Sequence, residues 1–291
     1  MAARREGKPW TPGKVLLLLF ALGAAFWVNR QPLLDLLTIV LSDEEQSHIL
    51  LVPFIAAWLL WLRRSRLRYV RFRPSLLGPA CIATGVIMSW WGFESGTQIA
   101  WHAGAGLTVL GALFSFTGLQ PVKQFLPVFG VLVFALPVPG TIRTEIALPL
   151  QALATQVTQA TLELVGVPAT RLGNVLVING EHVAVGEACN GMRMVFAFGL
   201  VVYAFAFSTP LKLSTRLTIL ALSPVAALVC NVIRLVPTSL IYGYGSVDGA
   251  MWFHDVTGWL MLPVALMILV AALRLFTWLE IPVSPFRLAG R

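Results

Sequence analysis

Charge is scarce in this sequence: only 12% of its 291 residues are Asp, Glu, Lys or Arg, against about 25% in an ordinary soluble domain. Hydrophobic residues make up 57%, and the mean hydropathy is +0.80. That balance excludes a soluble globular domain, a disordered tail and a disulfide-stapled secreted scaffold. A chain this apolar belongs in a bilayer. Cysteine is nearly absent too. Three cysteines cannot all pair with one another, and their spacings match no metal site. No His-Glu-x-x-His zinc pattern and no Gly-x-Ser-x-Gly elbow occur. No pair of carboxylates falls within one apolar run, which argues against an aspartyl intramembrane protease. Internal repeats and low-complexity tracts are also missing. No cofactor or metal is expected.

What is present is a series of long apolar runs. Eight can be separated, at roughly 14–28, 48–62, 75–92, 101–117, 122–139, 188–208, 216–242 and 253–279, each near the ~20 residues a spanning helix needs. A ninth, 33–41, is too short to cross and is expected at the interface. No small-residue cleavage site follows 14–28, so that segment is expected to be a retained span. The net charge of +8 reads as positive-inside bias rather than nucleic-acid binding. With the N-terminus inside, 16 of the 21 lysines and arginines fall on the cytoplasmic side and three outside; Arg193 and Arg234 remain within spans. Both termini are then cytoplasmic. The Arg-rich loop 63–73 is expected to sit near anionic lipid.

One outside segment, 140–187, is longer than the rest. Its first part, 141–165, is amphipathic: Gln151, Thr155, Gln156 and Thr158 interrupt an apolar surface, and Pro149 is expected to kink it. Its second part, 174–185, holds two β-branched runs around Asn179-Gly180, the signature of a type I′ hairpin. The expected fold class is therefore all-α: a polytopic membrane helix bundle of about eight transmembrane helices, with a small extracytoplasmic amphipathic helix and β-hairpin. It forms a single integral membrane domain over 1–291. A cytoplasmic tail covers 1–13, the extracytoplasmic segment 140–187, and a core for chemistry 188–275.

An ionisable residue inside a span costs about 2.5–3.5 kcal/mol on insertion scales and is a functional hypothesis by default. Arg234 is the clearest case. It stays charged, and Asn231 shares its helix face three residues earlier. Pinning a neighbouring helix is the alternative role. Cys81 and Cys230 read as small apolar packing residues. Cys189 opens the sixth span, where the positive end of the helix dipole and Arg193, four residues on, favour thiolate, while Glu187 opposes it. A nucleophile and a capping turn with an incidental cysteine both remain open. All four histidines, His48, His102, His182 and His254, fall on the outer side. Of these, His254 opens the span that follows Arg234. Cys189, Arg234 and His254 thus lie on three successive helices at similar depth. Together they can support acyl transfer: a thiol nucleophile, an imidazole acid/base and a guanidinium at the oxyanion.

These residues resemble the exosortase/archaeosortase family. Glu187-Ala-Cys-Asn-Gly-Met-Arg193, then Asn231-Val-Ile-Arg234, then His254 follow its order. Ser47-His-Ile-Leu-Leu-Val-Pro-Phe54 and Leu136-Pro-Val-Pro139 are similar to its second and fifth spans. Leu164-Val-Gly-Val-Pro168 and Arg171-Leu-Gly-Asn174 resemble the stretch before its cysteine. The resemblance covers roughly 40–275. It implies a bacterial inner-membrane cysteine transpeptidase with Cys189, Arg234 and His254 catalytic, and with Glu187, Asn190, Arg193 and Asn231 as substrate-contacting or supporting residues. It further implies substrates that end in a short motif such as Pro-Glu-Pro, a transmembrane helix and a basic cluster. A lipid or polysaccharide acceptor would take the cleaved protein. Asn190 stands where many relatives have Ser, and Ser47-His-Ile departs from the family's Ser-His-Gly, so the motif read by this chain is not fixed by the resemblance. Two alternatives stay open: a membrane cysteine protease with water as acceptor, and a non-enzymatic transporter or assembly factor for exopolysaccharide export.

Overall fold

The computed structural model describes residues 10–184 and 192–278. The chain is mostly helical and divides into two compact units, Met1–Pro139 and Gly140–Arg291.

In the first unit, α1 (Pro12–Val28) and α2 (Arg30–Ser42) meet at a 65° bend. Asn29 sits at the bend, and its buried side-chain amide donates to the Ala25 carbonyl at 2.8 Å. A 3-10 turn, Glu44–Leu50, follows, capped by Asp43, whose carboxylate accepts from the Glu45 backbone N–H at 3.0 Å and from the Gln46 side-chain amide at 3.0 Å. It leads into α3 (Leu51–Leu62). The Arg-rich loop after α3 folds back onto neighbouring segments. Trp10 donates to the Val70 carbonyl, and Arg66 donates to the Gln124 carbonyl. Arg64, Arg68, Arg71 and Arg73 are exposed.

The tightest packing joins α4 (Leu77–Glu94) to α5 (Gln98–Thr117). Gly78, Gly85 and Gly92 recur every seven residues on α4 and are buried; Gly104 and Gly111 do the same on α5. A seven-residue repeat keeps one seam facing a left-handed partner. Glycine along that seam lets the two backbones touch. A Cβ on Gly85 would lie 2.6 Å from the Thr108 hydroxyl, 2.7 Å from the Gly104 carbonyl oxygen and 2.8 Å from the Thr108 nitrogen, so backbone as well as side chain would have to shift. Gly85→Leu is therefore expected to lower the thermal unfolding midpoint in detergent, at a cost of about 3 kcal/mol; an unchanged midpoint would show that this seam does not limit stability.

The apolar run 122–139 is not one helix. It divides into α6 (Gln120–Gln124), α7 (Leu126–Val131) and a 3-10 turn, Leu132–Ala135. Pro121 and Pro127 each open a helix, and Pro137 and Pro139 follow the last turn. Each removes a backbone donor that a continuous helix would need.

The second unit opens with α8 (Gly140–Leu164), which remains helical through Pro149. Its polar residues divide between the two faces, and Gln156 is exposed. Thr155 and Thr158 are fully buried, and Gln151 accepts from the Asn174 side-chain amide at 2.9 Å. The exposed face carries Ile142, Ile146, Leu148, Leu153 and Val157. A helix with small residues and threonines inward and large apolar side chains outward suits a lipid environment.

Three short antiparallel strands follow: β1 (Ala169–Leu172), β2 (Val175–Ile178) and β3 (Glu181–Ala184). The hairpin expected around Asn179-Gly180 is there. Ile178 pairs with Glu181, and both turn residues have positive φ, 52° and 84°, as a type I′ turn requires. β1 adds a third strand that the alternation alone did not indicate. Leu176, Ile178 and Val183 bury one face against Ala154 and Leu162 of α8 and against Leu235. Leu235 belongs to α10 (Leu213–Tyr244), which follows α9 (Met192–Ser208) and precedes α11 (Val247–Trp278). The turn is pinned to the end of α10. Asn179 donates to the Gly243 carbonyl at 3.0 Å, and the bare Cα of Gly243 makes room for Ile178.

Among the described residues, three helical stretches are long and apolar enough to cross a membrane: Glu45–Leu62, Gln98–Thr117 and Leu213–Tyr244; the number rises to five if each of two bent helix pairs is one span. Large apolar side chains are exposed along them and elsewhere, Phe20, Trp27, Trp90 and Leu222 among them. So much bare apolar surface needs lipid around it.

Candidate active site

Arg234 lies in the C-terminal half of α10, in the stretch Cys230-Asn-Val-Ile-Arg234. It is 5% exposed, and Asn231 is 0% exposed. A buried guanidinium is tolerable only where its donors are met. Asn231 supplies one acceptor: Arg234 Nη2 donates to Asn231 Oδ1 at 3.0 Å. The i, i+3 spacing places the two side chains on one helix face. One turn on, the Thr238 hydroxyl donates to the Arg234 carbonyl at 2.7 Å.

The neighbouring helix, α11, approaches the other side of the guanidinium through a glycine. A Cβ on Gly258 would lie 3.2 Å from Arg234 Nη1. His254 is one turn earlier on α11, at the i, i+4 spacing that shares a face. The face of α11 that carries His254 is thus the face turned toward Arg234. The imidazole is partly buried, at 15% exposure, and its Nδ1 lies 3.4 Å from Asp255 Oδ1. Asp255 is exposed. An ionised carboxylate only accepts, so this contact is a hydrogen bond when Nδ1 carries the proton. Thr257, buried beside them, donates to the Phe253 carbonyl at 2.6 Å.

Arg234 and His254, two of the residues singled out from sequence as catalytic, therefore lie on packed helices of the same unit, with Asn231 as an acceptor for the arginine. Cys189, Glu187 and Asn190 lie outside the described residues. Arg193 falls in the first turn of α9, and Cys189 precedes the first residue of that helix by three positions. Cys230 is buried with Met194, Phe198, Val202 and Ile219 between α9 and α10, as a small apolar packing residue.

The other histidines occupy different settings. His48 and His102 belong to the first unit and are buried. His48 Nδ1 lies 3.0 Å from the Glu45 carbonyl. His102 Nδ1 lies 2.7 Å from the Gln98 carbonyl, and its Nε2 lies 3.2 Å from Asp35 Oδ2. His102 thus places its ring between α5 and the Asp35 carboxylate of α2. His182 is exposed on β3, opposite Val177. Among the described residues, no three His, Cys, Asp or Glu side chains are grouped closely enough to hold a metal ion.

Sequence reasoning missed Asp255 and Gly258. Asp255 is adjacent to His254, and Gly258 is the residue one turn on. Both signals were in plain sight, but the meaning of each depends on which face of α11 meets α10.

A family model described as transmembrane exosortase matches residues 38–271, which includes every residue of this arrangement. No curated protein and no solved structure matches the chain.

Proposed function

Since this chain belongs to the transmembrane exosortase family, and so is a multi-pass membrane protein of the sorting-signal processing kind, we propose that it is a sortase-like cysteine transpeptidase. Its substrates are exported proteins that end in a short motif, a transmembrane helix and a basic cluster. The observation that carries this reading is the buried Arg234, held by Asn231 on the face of α10 that meets the His254 face of α11.

The chemistry follows from these groups. Cys189 Sγ attacks the scissile carbonyl carbon while His254 Nε2 accepts the thiol proton. The carbonyl oxygen becomes an oxyanion, and the Arg234 guanidinium donates to it. The C–N bond then breaks, the leaving amine takes the proton from His254, and a thioester to Cys189 remains. An amine or hydroxyl of a lipid or polysaccharide acceptor attacks that thioester, passes its proton to His254 and releases the cysteine. Glu187, Asn190 and Arg193 flank the nucleophile and contact substrate or support it. Water as acceptor gives the protease reading with the same residues.

The proposed topology has about eight spans. Both termini are cytoplasmic, the segment 140–187 is outside, and the reaction occurs at the extracytoplasmic face of the inner membrane. A tail helix with cytoplasmic cations obeys the same orientation rule as the enzyme, so its motif stops at the outer interface, near the depth of Cys189. The core 188–275 and the tail 1–13 belong to one membrane domain in this reading. The exposed arginines of the loop 63–73 face anionic headgroups.

The test is co-expression with a tail-signal protein from the same genome, followed by mass spectrometry of the new C-terminus. Transfer predicts a C-terminus carrying the mass of an acceptor. A free carboxylate would favour hydrolysis, and an intact tail with both proteins present would overturn the reading.

A further inference from the structure

We propose that Gly258 is a positioning residue for the Arg234 guanidinium: by lacking a side chain it lets α11 close onto Nη1, so that the arginine is bounded by Asn231 on one side and by bare backbone on the other. The inference rests on the reading that Arg234 serves the reaction. Nothing in the family match assigns a role to Gly258.

The geometry is specific. Among the helical glycines of the second unit, Gly199 of α9 has nothing within 4 Å of where its Cβ would be, and Gly243 of α10 makes room for Ile178. At Gly258 the one atom within that range among the described residues is Arg234 Nη1, at 3.2 Å. That distance is tighter than most real Cβ contacts, so a methyl group there forces its neighbour to give by a few tenths of an ångström. What gives is the end of a flexible side chain, not backbone. The fold therefore tolerates the methyl, and the guanidinium moves.

Glycine in a helix interior carries an intrinsic penalty relative to alanine. Position 258 accepts that penalty on the face that also bears His254. The displacement matters because a donor aimed at a developing oxyanion acts only within a narrow geometry. Asn231 fixes Nη2 at 3.0 Å, so the guanidinium cannot retreat from α11 without straining that bond.

The experiment uses the full chain in membranes with its tail-signal substrate, comparing wild type, Gly258→Ala, Gly199→Ala, Arg234→Ala and the Gly258→Ala/Arg234→Ala double variant. Gly258→Ala is expected to slow processing about tenfold at saturating substrate, with no fall in the unfolding midpoint. Gly199→Ala is expected to process normally. The methyl should raise the midpoint more in the Arg234→Ala background than in wild type, because only there does it meet open space. Normal processing by Gly258→Ala would overturn the proposal. So would a midpoint that falls in step with activity, which would mark ordinary packing, or an equal midpoint change in both backgrounds, which would show that the methyl never meets the guanidinium. If Arg234→Ala itself processes at the wild-type rate, the reading of the active site fails instead.

Discussion

Cys189→Ala is expected to leave the substrate's tail uncut, with processing reduced roughly a thousandfold or more, while the variant accumulates in the membrane like wild type. Cys189→Ser should behave in the same way, because a hydroxyl in a site arranged for a thiol is a far weaker nucleophile at neutral pH. Cys81→Ala should process normally. Cys81 lies within α4 and is partly exposed, in the unit that does not contain Arg234 and His254. The comparison is internal: all the strains differ by one side chain, and immunoblotting of both enzyme and tail separates loss of chemistry from loss of protein. Processing by Cys189→Ala at a wild-type rate would make residue 189 a helix-capping position and end the cysteine mechanism. The transporter or assembly role would then lead.

The second large effect concerns the arginine. Arg234→Lys is expected to lower processing about a hundredfold, with little change in accumulation or unfolding. Lysine keeps the charge but not the planar fork. In the structure the fork has two separate tasks. Nη2 donates to Asn231, and Nη1 sits against Gly258. An ammonium on a flexible stem can reach Asn231 or the position of the oxyanion, but it does not present two fixed donors in one plane. Arg234→Ala is a less informative change, since it also strips Asn231 Oδ1 of its donor in a buried place, which costs about 1–3 kcal/mol. Wild-type rates in Arg234→Lys would show that charge alone suffices, or that Arg234 only pins α10 to α11.

The parts of the fold that were legible in the sequence are those set by local rules. Asn179-Gly180 between β-branched runs dictated the hairpin, because few other residue pairs adopt two successive positive φ angles. The helical runs followed from their length and apolarity. What could not be read depends on contacts across the chain. Of the polar residues that interrupt the apolar surface of α8, Thr155 and Thr158 are fully buried while Gln156 is exposed. In a chain of this kind apolar side chains lose nothing by facing outward, so amphipathicity marks a face without saying which way it points. Hydropathy smoothed over the prolines at 121, 127, 137 and 139 and suggested one span where the backbone breaks into short helices.

The site divides in the same way. The Asn231–Arg234 pair is a local i, i+3 relation and was visible. The placement of His254 at the depth of Arg234 rests on counting residues across the bilayer; the structure packs their two helices, α10 and α11, against each other. The roles of Asp255 and Gly258 required the rotation of α11 about its own axis, which no spacing in the sequence specifies.

The proposed mechanism passes through a covalent bond between substrate and Cys189, and the most direct measurement is to trap it. Enzyme and tail-signal substrate would be mixed in membranes, quenched in acid before turnover is complete, digested and analysed by mass spectrometry. The expected result is a peptide containing Cys189 that carries the substrate's new C-terminal acyl fragment through a thioester, released by hydroxylamine and lacking in Cys189→Ala. An acyl fragment attached elsewhere, or steady processing with no thioester at Cys189 at any time point, would contradict it.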